Sequence, residues 1–323
     1  MYLRIMETIV IVFLLLLGLG LVTFGADGVI NGASDIAKRF GVSEFVIGLT
    51  IVALGTSAPE MVVSFLSAFQ GNSDISVGNI IGSNIFNTAI ILGLTAVLSP
   101  IAITQRNRIY DIPVNVLVTL LLVVFGLSEG KNLTVLDGVI FLSIFVVYFI
   151  WNFKREHDER KNETEDVPQA SARRPIIMSI FMVLAGLFAL VYGGNLFVDN
   201  ACKIAKLLGV SDKVIAITLI AAGTSLPELA TSLVAVIKGK GQLALGNIIG
   251  SNTFNILLIL GGSAVIRPLS MDHITYWDYG TLMLSAVLLL MYTIFINKQK
   301  INKIEGALLL LLGLVYMGLC IAL

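Results

Sequence analysis

The sequence predicts an all-α integral membrane protein with ten transmembrane helices in two inverted five-helix repeats. Three observations predict it. The 323 residues are 57% hydrophobic and 13% charged, with a mean hydropathy of +0.94, far from the composition of soluble domains. Ten apolar runs approach the roughly 20 residues that a helix needs to cross the hydrocarbon of a bilayer. A polar sentence set within them, GLTIVALGTSAPE from Gly48 to Glu60, returns 168 residues later as AITLIAAGTSLPE from Ala216 to Glu228.

The first run, Glu7 to Phe24, is Leu-rich and follows Arg4. That pattern also suits a signal peptide, but the repeat counts this segment as the first helix. Val42 to Ala68 and Ile75 to Leu98 carry the first copies of the duplicated motifs. Ile109 to Gly126 and Val135 to Phe153 are nearly uncharged, and Lys154-Arg155 closes the second of them. The second half repeats the order with Pro175 to Tyr192, Val210 to Ile237, Leu243 to Val265, Tyr276 to Ile296 and Ile304 to Ala322. The runs are continuous rather than alternating, which argues against an outer-membrane barrel.

The offset of 168 also carries VGNIIGSNIFN, Val77 to Asn87, onto LGNIIGSNTFN, Leu245 to Asn255, and aligns Gly25 with Gly193 and Val42-Ser43 with Val210-Ser211. Residues 1–153 and 175–323 are therefore two related halves, joined by a hydrophilic linker at 154–174. Five helices per half is an odd number, so the second half enters the membrane from the opposite side. Fifteen of the 21 Lys and Arg residues collect on one side, among them Lys38, Arg39, Arg106, Arg108, Lys238 and Lys240. The positive-inside rule puts that side and the linker in the cytoplasm and both termini outside, as expected of a multi-pass plasma-membrane protein. The linker is too short for a regulatory domain. Asn162-Glu163-Thr164 matches a glycosylation acceptor but falls on the cytoplasmic side.

A zero net charge and a pI of about 6.7 give no sign of nucleic acid. Cys202 and Cys320 are isolated and read as small packing residues, and His157 and His273 fall in loops. Without a serine-histidine dyad a membrane enzyme is not expected, nor is a cofactor or an obligatory protein partner.

Ionisable groups inside a membrane are costly and mark function. At 3.6 residues per turn, Thr50, Ser57, Glu60, Ser64 and Ser67 share one helix face, as do Thr218, Ser225, Glu228 and Ser232. The following helix of each half adds Asn79, Ser83 and Asn87, or Asn247, Ser251 and Asn255. Carboxylate, hydroxyl and amide oxygens are hard ligands suited to sodium, calcium or magnesium, whereas zinc and copper would need His or Cys. Pro59 and Pro227 each remove a helical hydrogen bond, to the carbonyls of Gly55 and Gly223, so both helices are expected to break near the midplane, where loosened carbonyls line a cavity. Gly78, Gly82, Gly246 and Gly250 are spaced for close helix packing.

GTSAPE and GTSLPE, each followed by GNIIGSN, resemble the cation/calcium exchanger superfamily, specifically its prokaryotic sodium/calcium exchanger branch, over essentially the whole chain. The resemblance implies a membrane antiporter exchanging sodium for calcium by alternating access, with the ions and the lipid bilayer as its partners. It implies Glu60 and Glu228 as central carboxylates and hydroxyl ligands from Thr56, Ser57, Ser83, Thr224, Ser225 and Ser251. Asn87 and Asn255 complete the ring, and the carbonyls of Ala53 and Ala221 join it. Some relatives carry an aspartate at the position of Asn255. It further implies three sodium ions per calcium, and sliding of the first helix of each half across the core. A proton/calcium antiporter on the same fold and a glutamate-lined channel are the competing readings.

Overall fold

Apolar runs of this length can satisfy every backbone N–H and C=O in lipid only as helices, and helices form. The computed structural model describes residues 2–128, 131–162, 174–210, 221–296 and 298–322. The helices are α1 (Tyr2–Phe40), α2 (Glu44–Thr56), α3 (Ala58–Gln70), α4 (Ser73–Leu98), α5 (Asn107–Gly126) and α6 (Val135–Asn162). After these come α7 (Ile176–Leu207), α8 (Ala221–Thr224), α9 (Leu226–Ile237), α10 (Gly241–Ile266), α11 (Tyr276–Ile296) and α12 (Lys303–Ala322). Among the described residues eight helices are long and apolar enough to cross a membrane, and the bent pair α2 and α3 makes a ninth when taken as one span. The expected run from Val210 to Ile237 is described only in α8 and α9, because 211–220, including Ser211 and Thr218, lie outside the described residues.

Three boundaries differ from expectation for one physical reason. The first helix was expected to end at Phe24 but continues to Phe40, because Ala26, Val29, Ile30, Ala33 and Ala37 form a buried stripe while Asp27, Asn31 and Asp35 lower the local hydropathy. α7 likewise runs past Tyr192 to Leu207. The linker expected from Lys154 begins inside α6, which reaches Asn162. There Glu156 is buried, accepts the Ser43 backbone N–H at 2.5 Å and pairs with Arg106 at 2.5 Å. The rest of that stretch, 163–173, including Glu163 and Thr164 of the glycosylation match, lies outside the described residues, and nothing is described of the His157 side chain.

Two short antiparallel clasps tie the halves together. Strand β1 (Ile101–Ala102) pairs with β4 (Lys300–Ile301), and β2 (Asn132–Leu133) pairs with β3 (Leu269–Ser270). The 168 offset turns one clasp into the other: Ile101 opposite Ile301 becomes Leu269 opposite Leu133.

α4 and α10 occupy the centre. The apolar window of α10 is 94% buried and that of α4 is 72% buried, against 22% for α1, α6 and α12. Close packing of α10 depends on glycine. A Cβ on Gly246 would collide with the Phe45 carbonyl and one on Gly250 with the Leu49 carbonyl, so α10 lies directly on the backbone of α2. Gly78 and Gly82, expected to act alike, meet no described atom at the Cβ position. α1 and α7 cross outside this core. Gly25 meets the Gly186 carbonyl at 2.7 Å and Gly18 meets the Gly193 carbonyl at 2.8 Å, measured from the Cβ each glycine lacks.

Candidate ion-binding site

The two expected breaks form at equivalent places. α2 and α3 meet at Ser57 with a bend of 49°. Ser57 has φ −80° and ψ 9°, and Ser225, between α8 and α9, has φ −85° and ψ 6°. Pro59 and Pro227 thereby fall in the first turn of a new helix, where a missing N–H costs nothing, instead of in a helix interior. In the same first turns stand Glu60 and Glu228, both fully buried. A helix N-terminus favours a carboxylate there.

Hydroxyls reach across from one half to the other. Ser57 Oγ donates to Glu228 Oε1 at 2.9 Å, and Ser225 Oγ donates to Glu60 Oε1 at 3.2 Å. Within each half the next helix supplies a second hydroxyl: Ser83 Oγ lies 3.4 Å from Glu60 Oε1, and Ser251 Oγ lies 3.4 Å from Glu228 Oε1. The Oε2 atom of each glutamate is buried without a hydrogen-bond partner among the described residues. A carboxylate oxygen left so is costly unless a cation or proton meets it.

A second ring holds the first. Thr56 Oγ1 donates to Asn247 Oδ1 at 3.1 Å and Thr224 Oγ1 to Asn79 Oδ1 at 3.4 Å, again across the halves. Asn79 Nδ2 donates to the Glu60 carbonyl at 3.4 Å and to Ser64 Oγ at 3.2 Å, while Asn247 Nδ2 donates to Thr231 Oγ1 and Ser232 Oγ. The two threonines thus face asparagines. The Ala53 carbonyl accepts the Ser57 N–H at 3.0 Å and the Thr56 hydroxyl at 3.3 Å. Ala221 opens α8 at the edge of the described residues.

Of the expected stripe, Thr50 stands apart, because its hydroxyl bonds the preceding turn at the Val46 carbonyl, 2.6 Å away. Asn87 and Asn255 are fully buried, each one turn beyond the serine that touches a glutamate. α4 and α10 widen into π-helical winding at Phe86–Leu92 and Asn255–Leu260, a distortion frequent at functional sites. The residues that the fourfold spacing missed are Asn84, Thr88 and Asn252. All are buried: Asn84 accepts from Asn255 and donates to the Asn252 carbonyl, and the Asn252 side chain donates to Thr88. For Asn84 and Asn252 the signal was the duplication itself, since they are equivalent within GNIIGSN, whereas Thr88 has Ile256 as its counterpart and carried no such signal. His273 is exposed and pairs with Asp74 at 3.2 Å, away from the site, and both cysteines are free.

Apolar helices around a buried, duplicated oxygen-rich cluster define a multi-pass membrane transporter. The sodium/calcium exchanger protein family matches the chain twice, over residues 10–154 and 178–322, and the chain belongs to that family. It is 34% identical to sodium/calcium exchanger MaX1 of Methanosarcina acetivorans, over 92% of this chain and 95% of the relative. It is also 34% identical to inner membrane protein YrbG of Escherichia coli, over 85% and 86%. The solved structure of the sodium-calcium exchanger NCX_Mj soaked with 2.5 mM Na+ and 0.1 mM Ca2+ superposes with a TM-score of 0.82 at 35% identity, covering 96% of this chain and 98% of that one.

Proposed function

We propose that this cation/calcium antiporter exchanges sodium for calcium by alternating access, at one midplane site shared by both halves. The observation that carries the reading is the reciprocal pair of bonds from Ser57 to Glu228 and from Ser225 to Glu60, which gathers both carboxylates into a single cluster. The proposed ligands are those carboxylates with Ser57, Ser83, Ser225 and Ser251, flanked by Thr56, Thr224, Asn87 and Asn255. The Ala53 and Ala221 carbonyls join them, Ala53 giving up its Thr56 hydroxyl bond to do so. Calcium and sodium are cargo, and no resident cofactor is invoked. The ten-span inverted architecture, with halves at 1–153 and 175–323, a cytoplasmic linker at 154–174 and both termini outside, is part of the same proposal. It is supported by the odd helix count per half, the lysine and arginine bias and the interchangeable strand clasps.

Two glutamates balance one calcium, whereas three sodium ions leave one excess positive charge. With that stoichiometry each cycle moves net charge and responds to voltage by about 2.3 kcal/mol per elementary charge per 100 mV. The reading is tested in proteoliposomes. Calcium uptake is expected to require an opposing sodium gradient and to change rate with an imposed potential. The two buried carboxylates are also able to carry protons, so uptake that ignores sodium but follows a pH gradient would replace sodium with the proton as driving ion.

A further inference from the structure

The amides at the neutral edge of the site are held differently in the two halves. Asn84 Nδ2 donates to the Asn252 backbone carbonyl at 3.1 Å. A backbone carbonyl only accepts, so this bond fixes which end of the Asn84 amide is which. Its Oδ1 therefore faces Asn255, whose Nδ2 donates to it at 2.9 Å. Asn255 is left with Oδ1 bare, fully buried and without a partner among the described residues. By the repeat, Asn252 is placed to do the same for Asn87. It does not, because its Nδ2 donates to Thr88 Oγ1 at 2.7 Å. Neither polar atom of Asn87 has a partner among the described residues. Thr88 has Ile256 as its counterpart, so the diverting bond exists in one half only.

We infer that Asn84 is a positioning residue for cation binding, which holds the Nδ2 end of Asn255 so that the amide oxygen, and not the NH2 group, is presented to the ion. The inference rests on the proposed reading of Asn255 as part of the site. An amide turned end for end would aim two polar hydrogens at a cation, so its orientation is a condition of binding. At Asn87 no described residue holds the amide by a hydrogen bond. The two halves are therefore unequal at this edge despite their matched glutamates and serines.

The test is calcium binding by the purified protein in detergent, read as a dissociation constant, alongside KM and kcat for sodium-driven calcium uptake. Asn84→Ala is expected to weaken calcium about tenfold in both Kd and KM, as loss of a residue that orients a metal ligand commonly does, with kcat changed less than about twofold. Asn84→Asp, which as the neutral acid donates to the Asn252 carbonyl and still accepts from Asn255, is expected to recover binding to within about threefold of the parent. In an Asn255→Asp background both outer oxygens are equivalent and no orientation remains to be fixed. In an Asn255→Ala background there is no oxygen to orient. Adding Asn84→Ala to either background is expected to change Kd less than about twofold. An unchanged Kd in Asn84→Ala overturns the inference. So does the same tenfold loss in all backgrounds, which would mark Asn84 as structural only, and so does an Asn84→Asp protein as weak as Asn84→Ala. Glu228→Gln serves as the separate check: parent-like calcium binding in that variant removes the site itself, whatever Asn84 does.

Discussion

α10 and α1 are both long apolar helices, yet the window of one is 94% buried and that of the other 22%. The more buried helix is the less apolar. α4 and α10 have the lowest hydropathy of the eight long spans and the two highest burials, while α1 has the highest hydropathy. In a soluble protein that order would be reversed. Lipid tails are as apolar as leucine, so a helix gains little by hiding leucine from them, and the centre is filled instead by small and polar residues that pack and hydrogen-bond. Gly246, Asn247, Gly250, Ser251 and Asn255 are all buried on α10, either against the α2 backbone or in the polar cluster. α1 turns Leu16, Leu19 and Phe24 outward and makes its close contact with α7 through glycines.

The comparison breaks most sharply at the core carboxylates. Glu60→Gln and Glu228→Gln each remove one charge from the cluster proposed to balance a divalent ion. Exchange of calcium in proteoliposomes is expected to fall by at least about 100-fold, while the elution profile and thermal unfolding midpoint stay near those of the parent. An active Glu60→Gln protein would mean that the central helices carry polar residues for packing alone. The hydroxyls come next. Ser57→Ala and Ser225→Ala remove the bonds that cross between halves, and each is expected to raise the KM for calcium about tenfold, since a hydrogen bond to a charged group contributes about 1.5–3 kcal/mol. The two variants are expected to match each other, because the contacts they delete are equivalent. A large difference between them would extend to the serines the inequality seen at Asn84 and Asn252.

Much of this core was legible beforehand because duplication separates function from chance: one Gly-Thr-Ser-X-Pro-Glu string reads as a kink with a buried acid, and two in register point to a candidate site. Ser57, Glu60, Ser225 and Glu228 follow directly. The helix ends were not legible from hydropathy. Asp27, Asn31 and Asp35 stop an apolar run without stopping α1, which stays buried along Ala26, Val29, Ile30, Ala33 and Ala37. The second ring was only half visible. Asn79 and Asn247 share the expected face, but Asn84 sits one residue past Ser83 and acts through Asn255, which a spacing rule applied to one helix does not detect. Thr88 adds an asymmetry that the repeat conceals.

Smaller effects belong to the outer pair. In Gly186→Leu the new Cβ would sit 2.7 Å from the Gly25 carbonyl, where backbone cannot yield as a side chain would. Overpacking of this kind costs about 1–3 kcal/mol. The thermal midpoint is expected to fall and the maximal exchange rate to drop, with the KM for calcium unchanged because no ligand has moved. A raised KM would show that the crossing of α1 and α7 shapes the site directly.

The smallest effect is expected at the surface that α7 turns away from the protein. Phe188 is 72% exposed and stacks on Tyr192, one turn along the same helix, 5.9 Å between ring centres. Exchanging one apolar side chain for another against lipid removes neither a protein cavity wall nor a polar partner. Phe188→Leu is therefore expected to shift stability by less than about 0.5 kcal/mol and to leave both KM and kcat where they are. Thermal unfolding and uptake kinetics in the same lipid check it. A clear loss of rate in this variant would place a protein contact on that face and move α7 from the rim of the molecule toward its interior.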